Sequence, residues 1–321
     1  MKRRTKIALA VVAALACTTG VAAAVGRPPS THSVTPADLG HASRASELER
    51  LVDEPGPITA ETVIAADWAV DREGLINLDA PEARSAGLKP GSEPIRIFLH
   101  AIRHPTRGLY LVDTGVEHAL HGGDPANSAL GPVMSKVLPL GNLQVHTDTA
   151  TWLAAQPDAP AGVLMTHLHM DHVMGAPDIS NAVPFYAGPG ETSGRSAAGF
   201  FVAPMTDREL EGKGPLREWK FEADPDGRFA GVVDVFGDGT LFAIAAPGHT
   251  PGSTAYLART TKGPVLYVGD ACHTRWGWEH HVEPGTFSAD RPKSVASLKQ
   301  LEELVLRHPT IEVRLGHQDA K

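Results

Sequence analysis

Apolar residues in this chain gather in short runs divided by Gly, Pro and polar turns, and helical periods are few. Ile95–Arg103 and Leu109–Asp113 are joined across Pro105-Thr106-Arg107-Gly108, which predicts a hairpin. Asp148–Gln156 opens on a capping residue and predicts a helix, followed by a buried strand at Gly162–Thr166. Val183–Ala187 predicts another strand. Phe229–Val235 and Thr240–Ala245 flank Phe236-Gly237-Asp238-Gly239, whose Asp-Gly pair signals a second hairpin. Strands at Ser253–Arg259 and Pro264–Val268 come next. Val295, Leu298, Leu301, Leu304 and Val305 recur at helical spacing between Pro292 and Pro309, and Ile311–Leu315 reads as the last strand. Hairpins mixed with β-α-β runs imply an α/β protein with helix-covered sheets. From Pro189 to Asp226 the period breaks into a Gly- and Pro-rich stretch, the pattern of a lid or pocket wall.

The N-terminus has a different pattern. Met1–Lys6 carries Lys2, Arg3, Arg4 and Lys6, Ile7–Ala16 is unbroken apolar sequence, and Ala22-Ala23-Ala24 offers a small-residue cleavage site. Residues 1–24 therefore read as a secretory signal peptide, and the working part as exported to a periplasmic or extracellular location. An uncleaved membrane anchor is the rival reading, weakened by Thr18, Thr19 and Gly20. A lipoprotein attached through Cys17 is weaker, because Ala14 stands where Leu is usual, and the Arg3-Arg4 pair lacks the apolar residues of a twin-arginine signal directly behind it. Residues 25–56, rich in Pro, Ser, Thr and Ala, read as a linker and lead-in with one short helix at Ala42–Val52, and residues 57–321 as a single folded domain.

Charge narrows the partners. The 321 residues hold 29 Lys and Arg against 37 Asp and Glu; without the leader, 25 basic side chains face 37 acidic ones, a charge of −12. A body that acidic repels a phosphate backbone, which argues against nucleic acid. Two cysteines, one in the leader, cannot build a disulfide framework.

The decisive chemistry lies in Thr166-His167-Leu168-His169-Met170-Asp171-His172, directly after an apolar strand. His167 and His169 share one side of an extended segment, and a following helix would present Asp171 and His172 beside them. Imidazole with carboxylate suits zinc and similar divalent ions, whereas calcium asks for oxygen alone. Three more candidates stand at strand ends: His249 in the Pro247-Gly248-His249-Thr250-Pro251-Gly252 turn, Asp270 after Val265–Gly269, and His317 after Gly316.

In H-x-H-x-D-H followed by His, Asp and His, the chain resembles the metallo-β-lactamase superfamily from about Val63 to His317. The resemblance implies a four-layer αβ/βα sandwich with two divalent metal ions, zinc by preference. It assigns His167, His169 and His249 to the first metal, Asp171, His172 and His317 to the second, and Asp270 to both. Asp113, in Leu111-Val112-Asp113-Thr114-Gly115, matches a supporting position near the histidines.

Two ions sharing a water lower its pKa, so a bridging hydroxide can attack an ester-like carbonyl while Asp171 or Asp270 carries the proton to the leaving group. In the Pro247–Gly252 turn, Asp270-Ala271 and the helix with Leu298-Lys299-Gln300-Leu301 ahead of a short strand and Gly316-His317, the chain resembles the N-acyl-homoserine lactonase-like branch, which implies a small lactone or ester substrate. Those enzymes often carry Tyr three residues past the bridging Asp; here His273 stands there, either as a replacement donor or as the mark of another substrate. Cys272 reads as a small buried residue rather than a nucleophile. Trp276 and Trp278 read as packing aromatics before pocket walls, and His104, His118, His121 and His146 have no motif context. The rival readings are a secreted β-lactamase, disfavoured by Asp270, a glyoxalase II-like thioesterase, and a mono-iron sulfur dioxygenase.

Overall fold

The computed structural model describes residues 26–121, 128–131, 140–195 and 199–320. The expected signal peptide, residues 1–24, lies outside them. Among the described residues no helix is long and apolar enough to cross a membrane.

Two sheets form the centre. In chain order the strands are β1 (Val34–Pro36), β2 (His41–Ser43), β3 (Thr59–Asp71), β4 (Ser92–His104), β5 (Gly108–Val112), β6 (Gln144–Val145), β7 (Gly162–Leu164), β8 (Phe185–Ala187), β9 (Leu216–Glu218), β10 (Val232–Asp234), β11 (Leu241–Ala245), β12 (Thr254–Thr260), β13 (Gly263–Gly269) and β14 (Glu312–Leu315). The first sheet runs β1-β9-β8-β7-β5-β4-β3-β6 and the second β14-β13-β12-β11-β10-β2. The helices are α1 (Ala45–Val52), α2 (Arg72–Leu75), α3 (Pro81–Ser85), α4 (Thr149–Ala154), α5 (Met170–Val173), α6 (Gly199–Glu209), α7 (Arg275–His280) and α8 (Arg291–Arg307).

Strand alternation explains the layers. Leu241 and Ala243 face inward, where they join Ile102, Val112, Leu164 and Tyr256 between the sheets. Phe242 and Ile244 face the other way, against Leu48 and Val52 of α1 and Leu298, Leu301 and Leu304 of α8. On the far side of the first sheet, Leu99, Leu111 and Val163 pack against Trp152 of α4 and Val173 of α5. Helix, sheet, sheet and helix make the four-layer αβ/βα sandwich. Burial on both faces accounts for the apolar runs at β7, β8 and β12, all of whose residues are buried.

Residues 26–56, expected as a linker and lead-in with a short helix at Ala42–Val52, carry two edge strands as well as that helix, which is α1 at Ala45–Val52. β1 pairs in parallel with β9, β2 pairs antiparallel with β10, and α1 buries Ala45, Leu48 and Val52 completely. A three-residue strand has too short a pattern to show period two, so its partner, not its own sequence, decides the conformation. The Pro189–Asp226 stretch likewise contains α6 and β9, in which Pro204 interrupts the helical period.

Candidate metal centre

The C-terminal ends of neighbouring strands converge at one rim of the sandwich. β5 delivers Asp113, β7 leads into the His167–His172 segment, β13 ends at Asp270, and β14, parallel to β13, leads through Gly316 to His317. His249 arrives on the turn between β11 and β12. His169 is the N-cap of α5, so the chain leaves its extended path directly after the second histidine and carries Asp171 and His172 on the first helical turn.

All seven residues singled out in the sequence come together. Ligand atoms of His167, His169, His249 and Asp270 lie within 4.8 Å of one another, and so do those of Asp171, His172 and His317. Asp270 stands between the groups. Its Oδ2 is 3.5 Å from His167 Nε2 and 3.2 Å from His249 Nε2; its Oδ1 is 3.3 Å from His172 Nε2 and 3.4 Å from His317 Nε2. His249 Nε2 faces His169 Nδ1 at 2.8 Å, and His317 Nε2 lies 3.2 Å from Asp171 Oδ2. Donors about 2.0–2.1 Å from a tetrahedral zinc stand roughly 3.3 Å apart, so these spacings fit such ions. His167 Nε2, His172 Nε2 and Asp270 Oδ1 are buried without a hydrogen-bond partner, as atoms that would turn to a cation.

The opposite ring nitrogens are held from behind. His172 Nδ1 donates to Asp113 Oδ2 at 2.7 Å, and His317 Nδ1 donates to the Arg96 carbonyl at 2.9 Å. Asp113 also accepts from the Thr166 N–H and hydroxyl, both at 2.8 Å, which makes it an orienting residue behind the cluster. Gly316 is required by space: a Cβ there would lie 2.0 Å from Asp270 Oδ1.

Burial sets the charge states. It holds His167 and His249 well below the ordinary imidazole range, reinforced by neighbouring rings, and lowers His169 to about 4, leaving neutral rings with lone pairs. Burial also acts downward on His172 and His317, but Asp270 and Asp113 carry His172 well above its usual range, and Asp270 with Asp171 lifts His317 to about 10. Burial would raise Asp171 and Asp270; His317 and His172 hold the first below the carboxylate range, and His273, His317 and His172 the second. The carboxylates thus draw positive charge into a buried site.

The metallo-β-lactamase superfamily model matches residues 100–306, most of the chain. The chain belongs to the metallo-β-lactamase superfamily. It is 29% identical over 233 residues to the N-acyl homoserine lactonase AttM of Agrobacterium fabrum, covering 70% of this chain and 81% of the relative. It is 33% identical over 164 residues to the AttM of Azorhizobium caulinodans, a match to 48% of this chain that spans only 57% of that relative's length. The crystal structure of a quorum-quenching N-acyl homoserine lactone hydrolase superposes with a TM-score of 0.55 at 19% identity, covering 83% of this chain and 93% of that one, so the two share the fold.

In this superfamily member the cluster opens on a cavity of about 210 Å³ walled by Trp68, Val70, Leu75, Met170, Val202 and Phe287, with Thr286 at its edge. His169, Asp171, His249, Asp270, His273 and His317 line its other side. His273 Nε2 lies 3.0 Å from Asp270 Oδ2, and its ring stacks on His317 with centroids 5.6 Å apart. With Asp270 and His317 it forms a third group able to hold an ion, so its place admits ligation as well as hydrogen bonding. His249 is 2% exposed, so its turn aims the ring into the cluster rather than to solvent.

Trp276 and Trp278 pack against the core and are not among the cavity residues. Cys272 is buried, donates to the Thr274 carbonyl at 3.4 Å, and has its thiol pushed up by burial. His104 and His146 pair with Asp238 and Asp67, and His118 and His121 both with Asp148. Sequence reasoning missed Trp68 and Phe287, which are far apart in the chain, and Glu191. Alternation along Thr59–Asp71 would have marked Trp68 as inward; nothing local marks Phe287.

Proposed function

We propose that the protein is a two-metal hydrolase that opens the ring of a lactone, with an N-acyl homoserine lactone or a related small ester as substrate. His167, His169 and His249 would hold one ion and Asp171, His172 and His317 the other, with Asp270 available to both; the nitrogen-rich donor set favours zinc. The observation that carries this reading is Asp270, whose two oxygens face two separate ligand groups beside an apolar cavity. Two bound divalent ions would supply Lewis acidity and a water of lowered pKa. The chain's own groups do the rest. Trp68, Phe287 and Val202 take the apolar part of the substrate and exclude water. Asp171, which lines the cavity, takes the proton released by the attacking water and passes it to the leaving ring oxygen, while His273, also on the lining, donates a hydrogen bond to the substrate.

The test is a panel of lactones, aryl esters, thioesters and a cephalosporin on metal-analysed protein. Two zinc-type ions per chain with preferred turnover of lactones support the proposal. Preferred turnover of thioesters or the cephalosporin, or one iron per chain with oxygen consumption, overturns it. His169→Ala and Asp171→Ala should each abolish turnover and reduce metal content. The leader supports a further proposal of export with cleavage near Ala24, which N-terminal sequencing of the secreted protein checks.

A further inference from the structure

One buried carboxylate beside the centre has no part in the chemistry above. Glu191 is 1% exposed and follows β8 at the start of the Gly- and Pro-rich stretch. Its oxygens gather donors from two loops far apart in sequence. Oε2 accepts from the N–H of Leu168 at 2.9 Å, the residue between His167 and His169. Oε1 accepts from the N–H of Gly252 at 2.9 Å and from the Thr250 hydroxyl, both on the turn that carries His249. The approach depends on residue 252 being glycine, since a Cβ there would lie 2.7 Å from Glu191 Cγ. Hydrogen bonds to a carboxylate are shorter and roughly twice as strong as neutral ones, so this contact fixes the distance between the loops.

Its reach is selective. The residues it grips flank His167, His169 and His249, the three histidines of the first group. Asp113, the other buried carboxylate, takes His172 Nδ1 of the second group and both Thr166 donors, and the Thr166 hydroxyl stands 3.2 Å from His167 Nδ1, so Asp113 reaches both groups. We propose that Glu191 is a positioning residue for the first metal position alone, whereas Asp113 supports both. The inference rests on reading those three histidines as ligands of one ion. It needs no particular substrate.

The experiment titrates metal-stripped full-length protein with Zn²⁺ or Co²⁺ against a chromophoric chelator and resolves two binding events. Removing an outer partner of this kind costs about 10–100-fold in metal affinity. Glu191→Gln should weaken one event by that factor and leave the other within about threefold. The weakened event must be the one that His249→Ala abolishes, and its Co²⁺ absorption should change; Glu191→Asp should recover part of the loss. Asp113→Asn, by contrast, should weaken both events. Equal weakening of both events by Glu191→Gln, a shift in the event that His317→Ala abolishes, or no shift with a native near-ultraviolet circular dichroism spectrum would overturn the proposal. If Glu191→Gln does not fold, Thr250→Val removes one of the donors to Glu191, together with the Thr250–Ser253 hydroxyl contact, and must weaken the same event by a smaller factor; no change overturns it. Wild-type protein binding fewer than two ions defeats the underlying reading, whereas two wild-type events with Glu191→Gln unaltered defeat only this inference.

Discussion

Gly316→Ala adds one methyl group at the most crowded point of the centre. An ideal Cβ at that position falls 2.0 Å from Asp270 Oδ1, whereas real Cβ contacts essentially never come below 3.0 Å, so something must move by at least about 1 Å. The backbone cannot retreat freely, because Gly316 N donates to the Cys272 carbonyl at 3.0 Å and His317 N to that of His273 at 3.1 Å. The displacement therefore falls on the Asp270 carboxylate, whose Oδ1 stands 3.3 Å from His172 Nε2 and 3.4 Å from His317 Nε2. A misplacement of about 1 Å costs roughly 10²-fold in rate, or about 2.7 kcal/mol of transition-state stabilisation. The assay is kcat/KM for the best lactone together with metal content per chain, on protein whose thermal unfolding shows an intact fold. A Gly316→Ala protein that keeps two ions and loses less than about threefold in kcat/KM refutes the reasoning, because Asp270 would then be free to sit elsewhere.

Three further outcomes follow from contacts described above. His273→Ala should lower kcat by about 10² with metal content retained, as expected of a lost proton or hydrogen-bond donor; loss of an ion would make His273 a ligand, and unchanged turnover would leave it a packing role. Cys272→Ala should leave turnover unchanged, since the thiol is buried and bonded to the Thr274 carbonyl; abolished turnover with native folding would contradict that. Asp148 caps α4 by accepting from the Thr151 N–H at 2.7 Å and also binds His121, so Asp148→Ala should cost about 1–2 kcal/mol in urea unfolding. Burial raises the Asp148 carboxyl, but the Thr151 N–H and hydroxyl, His121 and His118 together hold it below the usual range. Its contribution is therefore present above the unfolded carboxylate value near 3.9 and fades as pH falls through the lower folded value, so the variant's stability should depend less on pH in that acid window.

The local motif was the readable part of the site. Thr166 to His172 declares itself because the strand before it is wholly apolar and the helix after it begins within the motif, so four side chains are aimed by local geometry. His249, Asp270 and His317 were legible for a related reason: each follows a strand closely, and strand ends are where this sandwich assembles its chemistry. What stayed hidden depends on long-range packing. Glu191 lies in a stretch with no period, and its meaning appears only once Leu168 and Gly252 are brought to it. Trp68 and Phe287 share a cavity across more than two hundred residues of chain. β1, β2 and β9, at three residues each, carry too few positions for alternation to register, and all three take their shape from the strands beside them.

The two edge strands contributed by residues 34–43 bear on how this protein can be produced. A shortened chain begun at residue 57 would strip one margin from each sheet, leaving the backbone of β9 and β10 open to any passing strand. It would also bare the apolar surface beneath α1. Such a truncation invites aggregation although every residue of the candidate metal cluster is present, so soluble recombinant material calls for a start point upstream of Val34.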